Sequence, residues 1–189
     1  MEIRQEIKRR AADIEARIAP FLPQEKGFQQ TVLDAMEYSV FAGGKRLRPM
    51  LMEASYQMFD GTNPAIDDFM AAIEMIHTYS LIHDDLPCMD DDDLRRGRPT
   101  CHKAFDEATA VLAGDGLLTA AFETASQAGV PAETALRCIR VLGENAGMNG
   151  MIGGQVLDML SEHRRISEDE LRLLQKLKTG CLLRAACEL

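Results

Sequence analysis

Tryptophan is absent from this sequence of 189 residues, and aromatic side chains supply only 5% of it. Its hydrophobic fraction of 46% is therefore aliphatic and methionine-rich, which suits an interior built between helices. Cysteine offers no framework: Cys88, Cys101, Cys138, Cys181 and Cys187 are odd in number and contain no CxxC pair. That usage fits reduced thiols in a cytoplasm rather than disulfides. The four histidines form no HExxH and no Cys/His knuckle, so no zinc site is expected. Positive charge is outweighed, with a net charge of −9 and a pI near 4.9, which argues against nucleic acid or an anionic membrane as partner. No apolar run reaches the roughly 18 residues of a membrane span. Met1 to Arg17 alternates charge with Ile and Ala at helical spacing, unlike a signal peptide. Low-complexity linkers are missing too, so residues 1–189 read as one domain.

What is present is helical periodicity almost throughout, with no convincing alternating strand. Ile3, Ile7, Ile14 and Ile18 form an apolar stripe closed by Pro20 and Pro23. Further helices are expected over Gln24–Phe41, from Pro49 to the Asp60-Gly61-Thr62-Asn63-Pro64 turn, and from Asp67 to a bend or stop at Pro87. Asp92–Lys103 reads as a polar loop, followed by helices over Asp106–Gln127, Pro131–Ala146 and Gly147–His163. A last helix opens on the Ser167…Glu170 capping box. Gly143, Gly147, Gly150 and Gly154 would lay a bare strip along one helix face, for tight helix packing or a slender ligand. The fold class is all-α.

Six of the nineteen residues from Tyr79 to Gly97 are Asp, and Arg95-Arg96 follows them. Carboxylates this dense stay together around a hard cation such as Mg²⁺ or in open water, and taken alone the solvated turn with its own salt bridges is the better reading. The guanidinium pair matches phosphate oxygens. Asp84 and Asp90 would not share a face on an unbroken helix, but a break at Pro87 could return Asp90 towards Asp84. His77 lies two turns before Asp84 on the same face, as a core residue or a ligand. Gly43-Gly44-Lys45-Arg46-Leu47-Arg48-Pro49 combines backbone freedom, three cations and a helix start, a phosphate cradle or a basic surface turn. Gln155 and Asp158 share a face, and Lys178-Thr179-Gly180 interrupts an aliphatic helix.

Together these segments resemble the trans-prenyl diphosphate synthases, and more narrowly the bacterial farnesyl-forming type. Asp84, Asp85 and Asp90 match the long DDxxxxD form of the family's first aspartate-rich motif, with Arg95-Arg96-Gly97 after it. The resemblance implies the isoprenoid synthase type of antiparallel helical bundle and a homodimer. It implies that Asp84 and Asp90, supported by Asp85, ligate Mg²⁺ (Mn²⁺ as an alternative) on an allylic diphosphate. Arg95, Lys178 and Thr179 would hold that diphosphate, with Gln155 and Asp158 on the same side of the cleft. Lys45, Arg48, His77 and Arg96 would hold isopentenyl diphosphate. Tyr79 and Ser80, just before the motif, would set product length; a straight helix puts Tyr79 roughly 140° from Asp84, and Ser80 nearer to it.

The resemblance also implies what is missing. A second aspartate-rich motif does not occur before Leu189, so the chain reads as the first two-thirds of a synthase, incomplete at the C-terminus, with little turnover of its own. It would be a trimmed chain, a truncated product or a degenerate, non-catalytic paralogue. A terpene cyclase shares the ionisation chemistry but needs no second diphosphate pocket, against which Lys45, Arg48 and Arg96 stand. The EF-hand spacing of a calcium-binding protein is not met.

Overall fold

The computed structural model describes residues 2–24 and 27–189. Ten α-helices are found there: α1 (Ile3–Ile18), α2 (Gln30–Val40), α3 (Leu47–Met58), α4 (Ile66–Asp84), α5 (Cys101–Ala104), α6 (Glu107–Gln127), α7 (Ala132–Ala146), α8 (Met151–Met159), α9 (Glu168–Gln175) and α10 (Cys181–Glu188). A π-helical segment, Lys176–Gly180, joins α9 to α10. The all-α expectation holds, and part of the helix expected over Gln24–Phe41 lies outside the described residues.

Helix α4 is the axis of the bundle. Every residue from Phe69 to Ile76 is buried, Glu74 included, as expected of a helix surrounded by others. It packs along α6, whose Ala110, Ala113, Gly114, Ala120, Ala121 and Ala125 let the two backbones approach closely. Around this pair α1, α2, α3, α7 and α10 contribute Ile14, Val40, Met52, Leu142 and Leu182, all at 2% exposure or less. The apolar stripe of α1 is buried only at its far end, since Ile14 is buried and Ile3 is 76% exposed.

Local signals placed several ends. Asp106 caps α6 by accepting from the Thr109 amide at 2.9 Å, and Ser167 with Glu170 completes both halves of a capping box on α9. Two expectations need correction. The expected loop Asp92–Lys103 contains an antiparallel hairpin, β1 (Leu94–Arg95) with β2 (Arg98–Pro99), and then α5. Its two-residue turn, Arg96-Gly97, has φ of 55° and 80°, the signs of a type I′ turn that matches strand twist. The glycine strip is not on one helix: α7 ends before Gly147, Gly150 caps α8, and only Gly154 packs another backbone closely from within a helix. α8 accordingly spans nine residues rather than Gly147–His163.

Candidate active site

Asp84 is the last residue of α4. The chain then folds back at Pro87, so that the Asp90 amide donates to the Asp84 carbonyl at 2.9 Å. The break thus returns Asp90 to Asp84, as the proline suggested. From α8, Gln155 Nε2 donates to Asp84 Oδ1 at 2.5 Å. From the π segment, Lys178 Nζ reaches Asp158 Oδ2 at 2.5 Å and lies 3.5 Å from Asp84 Oδ2. Lys178 points inward because α8 carries no side chain at Gly154: a Cβ there would stand 2.6 Å from the Lys178 Cα. Burial works to lower the Lys178 pKa, yet the Asp158 hydrogen bond and the charges of Asp84, Asp158 and Asp90 raise it. Partial burial, then the Asp84 carboxylate, pushes Asp90 above the usual carboxylate range.

Among the described residues no group of three or more His, Cys, Asp or Glu side chains converges tightly enough to hold a metal ion alone. The donor set nevertheless fits a hard cation that keeps waters and takes further oxygens from a substrate phosphate. Asp84 and Asp90 bring two carboxylates to one corner, joined through the backbone, where burial and then the Asp84 charge raise the Asp90 pKa.

Asp85 departs from the expected trio. It is 3% exposed and turned away from the cleft. Arg95 Nε reaches its two carboxylate oxygens at 2.7 and 2.8 Å, and the Arg95 Nη2 joins them. Consecutive residues on a helix diverge by about 100°, so only one of the two aspartates can face the cleft. Arg95, expected beside Lys178, is accordingly engaged by Asp85 instead, a pairing that raises its pKa.

A basic basin of about 510 Å³ adjoins this corner, lined by Gly44, Lys45, Arg46, Leu47, Arg48, Glu74, His77 and Arg96. Gly43 and Gly44 have φ of 85° and 147°, conformations that need glycine. The Arg96 guanidinium lies against Gly44, where a Cβ would come within 2.6 Å of Nη1. Lys45 is exposed, whereas Arg48 Nε is buried without a partner. Burial lowers the Arg48 pKa, Arg96 adds to this and Glu74 opposes it. Burial and then Arg48, Arg96, Arg46 and Arg95 depress His77 to about 2, so it is a neutral imidazole among cations.

Arg46 was not singled out among the site residues from sequence. It is 3% exposed and binds Glu74 at 2.6 Å, Glu15 at 2.7 Å and the Val40 carbonyl at 2.5 Å. It ties α1, α2 and α4 together beneath the basin and leaves Lys45 and Arg48 to face it. Its acidic partners lie far off in the chain, so local spacing carried no sign of them.

The main cleft holds about 520 Å³. Asp84, Gln155, Lys178 and Thr179 line it along with Met89, Leu118, Met151, Ile152, Val156 and Met159. Tyr79 and Ser80 both line it, so the helical arithmetic that separated them does not decide between them. Arg48 and His77 line both chambers and form the wall between them.

Comparison with known proteins supplies the family. The sequence profile described as polyprenyl synthetase matches residues 29–189. The chain is 50% identical over 181 residues to a farnesyl diphosphate synthase of Haemophilus influenzae, covering 93% of this chain and 61% of that one. It is 53% identical over 152 residues to a farnesyl diphosphate synthase of Bacillus subtilis, covering 79% of this chain and 51% of that one. The crystal structure of an FPP/GFPP synthase from Zymomonas mobilis superposes with a TM-score of 0.90 at 41% identity, covering 98% of this chain and 68% of that one. A geranyltransferase from Legionella pneumophila gives a TM-score of 0.90 at 41% identity, covering 98% and 66%. The chain thus spans just over half the length of these curated relatives. The family match and the helical superposition both extend over most of the chain, and the chain belongs to the polyprenyl synthetase family.

Proposed function

We propose that these residues form the substrate-binding half of a Mg²⁺-dependent prenyltransferase. It condenses dimethylallyl or geranyl diphosphate with isopentenyl diphosphate, and the product most consistent with the relatives' names is farnesyl diphosphate. The observation that carries this reading is the pair of chambers divided by Arg48 and His77, one acidic at its mouth and apolar within, the other basic. A cyclase would have no use for the second.

Asp84 and Asp90 would hold magnesium, with manganese as the alternative, and when bound it supplies positive charge to a departing diphosphate. Lys178 and Thr179 add a fixed cation and a hydroxyl on the same side. Lys45, Arg48 and Arg96 seat the second diphosphate, and His77 offers a neutral hydrogen-bonding ring beside it. Met151, Ile152, Val156 and Met159 shelter the hydrocarbon from water, which a developing carbocation requires. Arg95, held by Asp85, stays within reach of the Asp84 charge on the allylic side. The reading keeps the homodimer and cytoplasmic location expected from sequence; sedimentation of the purified chain tests the former. No helix among the described residues is long and apolar enough to cross a membrane.

The test is calorimetric titration of the chain with geranyl diphosphate plus Mg²⁺, and separately with isopentenyl diphosphate. Arg96→Gln should weaken isopentenyl diphosphate more than geranyl diphosphate by about tenfold, the effect of losing one charged hydrogen-bonding partner. Lys178→Met should show the reverse preference. Equal losses for both ligands in both variants would refute two separate diphosphate seats.

A further inference from the structure

Tyr79 stands in the wall of the main cleft at 5% exposure, yet its hydroxyl is buried with no hydrogen-bond partner. Packing alone fixes the ring, and one neighbour meets it at a defined angle. His83, one turn on along α4, stands edge-on to it with centroids 5.8 Å apart and planes at 75°. His83 is itself held from α6. Its Nε2 lies 3.1 Å from the Val111 carbonyl, and because a carbonyl only accepts, that nitrogen carries the proton. Beneath the imidazole lies Gly114, where a Cβ would come within 2.5 Å of His83 Cδ2 and 2.8 Å of Cε1. No other residue type leaves room for the ring in this position. His83 also lines the cleft beside Asp115 and Leu118.

We propose that His83, seated on Gly114, is a positioning residue that holds the Tyr79 ring and thereby limits the length of hydrocarbon the cleft accepts. The proposal rests on the prenyltransferase reading and extends it from the residues of the aspartate motif to a contact made across two helices. Truncating His83 frees the volume of its ring and the brace on Tyr79, so longer chains gain room. A methyl at Gly114 lifts the ring off α6 and into the cleft, so longer chains lose room.

The experiment measures the affinities of geranyl and farnesyl thiolodiphosphates for the chain in Mg²⁺ buffer, by calorimetry. The two probes share a head group, so their ratio cancels damage to the diphosphate seat next to His83. His83→Ala should shift the ratio towards farnesyl by about tenfold, and Gly114→Ala should shift it towards geranyl by a similar factor, each reflecting burial gained or lost by about two carbons of the additional isoprene unit. In the double variant there is no ring to displace, so the ratio should equal that of His83→Ala. A simple loss of stability would lower both affinities and leave the ratio alone. Unchanged ratios, or additive effects in the double variant, would overturn the proposal. Failure of the parent chain to bind either probe would instead overturn the prenyltransferase reading beneath it.

Discussion

Gly143 and Gly154 belong to one spaced series in the sequence, and the structure gives substitutions at them opposite signs. At Gly143, inside α7, a Cβ would meet nothing within 4 Å. Gly143→Ala therefore gains only the helix propensity of alanine, about 0.5–1 kcal/mol. At Gly154 the same gain is offered, but the new methyl would stand 2.6 Å from the Lys178 Cα and 2.8 Å from the Leu177 carbonyl carbon. Both are backbone atoms, which no rotamer change can move aside. Either α8 or the π segment must shift, and overpacking of this kind costs about 1–3 kcal/mol. The displaced backbone carries Lys178, so its bridges to Asp158 and Asp84 stretch as well. Thermal unfolding reads the difference, at about 2–4 °C for each kcal/mol in a domain of this size. Gly143→Ala should melt higher than the parent, and Gly154→Ala lower with weakened binding of Mg²⁺-pyrophosphate. A Gly154→Ala protein that melts with the parent would refute the close approach of α8 to the π segment.

Three other outcomes follow from the polar groups. His77 falls to about 2 on folding from an ordinary value of 6.5, so between these values the unfolded chain binds more protons and stability declines as pH drops below 6.5. The loss at about pH 5 is about 2 kcal/mol; His77→Gln should remove it, and equal denaturant midpoint shifts in both proteins between pH 7.5 and 5 would count against the burial of a neutral ring. Arg46→Met strands Glu74, itself 3% exposed, and should cost about 3–5 kcal/mol in urea unfolding; a loss under about 1 kcal/mol would mean that the pair is solvated. Asp106→Ala removes the cap of α6 and should lower the urea midpoint, while Asp106→Asn, which keeps an accepting oxygen, should lower it less.

Much of the site could be read from the chain because its signals are local. The return of Asp90 towards Asp84 follows from a proline between them, and the capping box of α9 from two residues three apart. The inward turn of Lys178 was half legible: the neighbouring Gly180 marked an irregular helix, but the cause is Gly154 on another helix. What escaped depends on distant partners or on elements too short to show a period. Two-residue strands cannot display alternation, so the hairpin at Leu94–Pro99 read as a loop. Arg46 and Arg48 look alike in a basic run; only Glu15 and Glu74, remote in sequence, separate the buried tie from the residue facing the basin. Asp85 looks like a ligand by adjacency, and its capture by Arg95 needs the hairpin to be known first.

That hairpin assigns two consecutive arginines to different duties. Arg95 sits in strand register opposite Arg98 and reaches Asp85, whereas Arg96, in the turn, lies over Gly44 on the basin side. The backbone on its far arm is anchored by Tyr38, which donates to the Pro99 carbonyl at 2.8 Å and stacks under Arg98. Adding or deleting one residue between Leu94 and Pro99 would break the register that sets Arg95 on Asp85 and Arg96 on the basin side. In this corner of the molecule the length of the loop, as well as its residues, decides what each arginine meets.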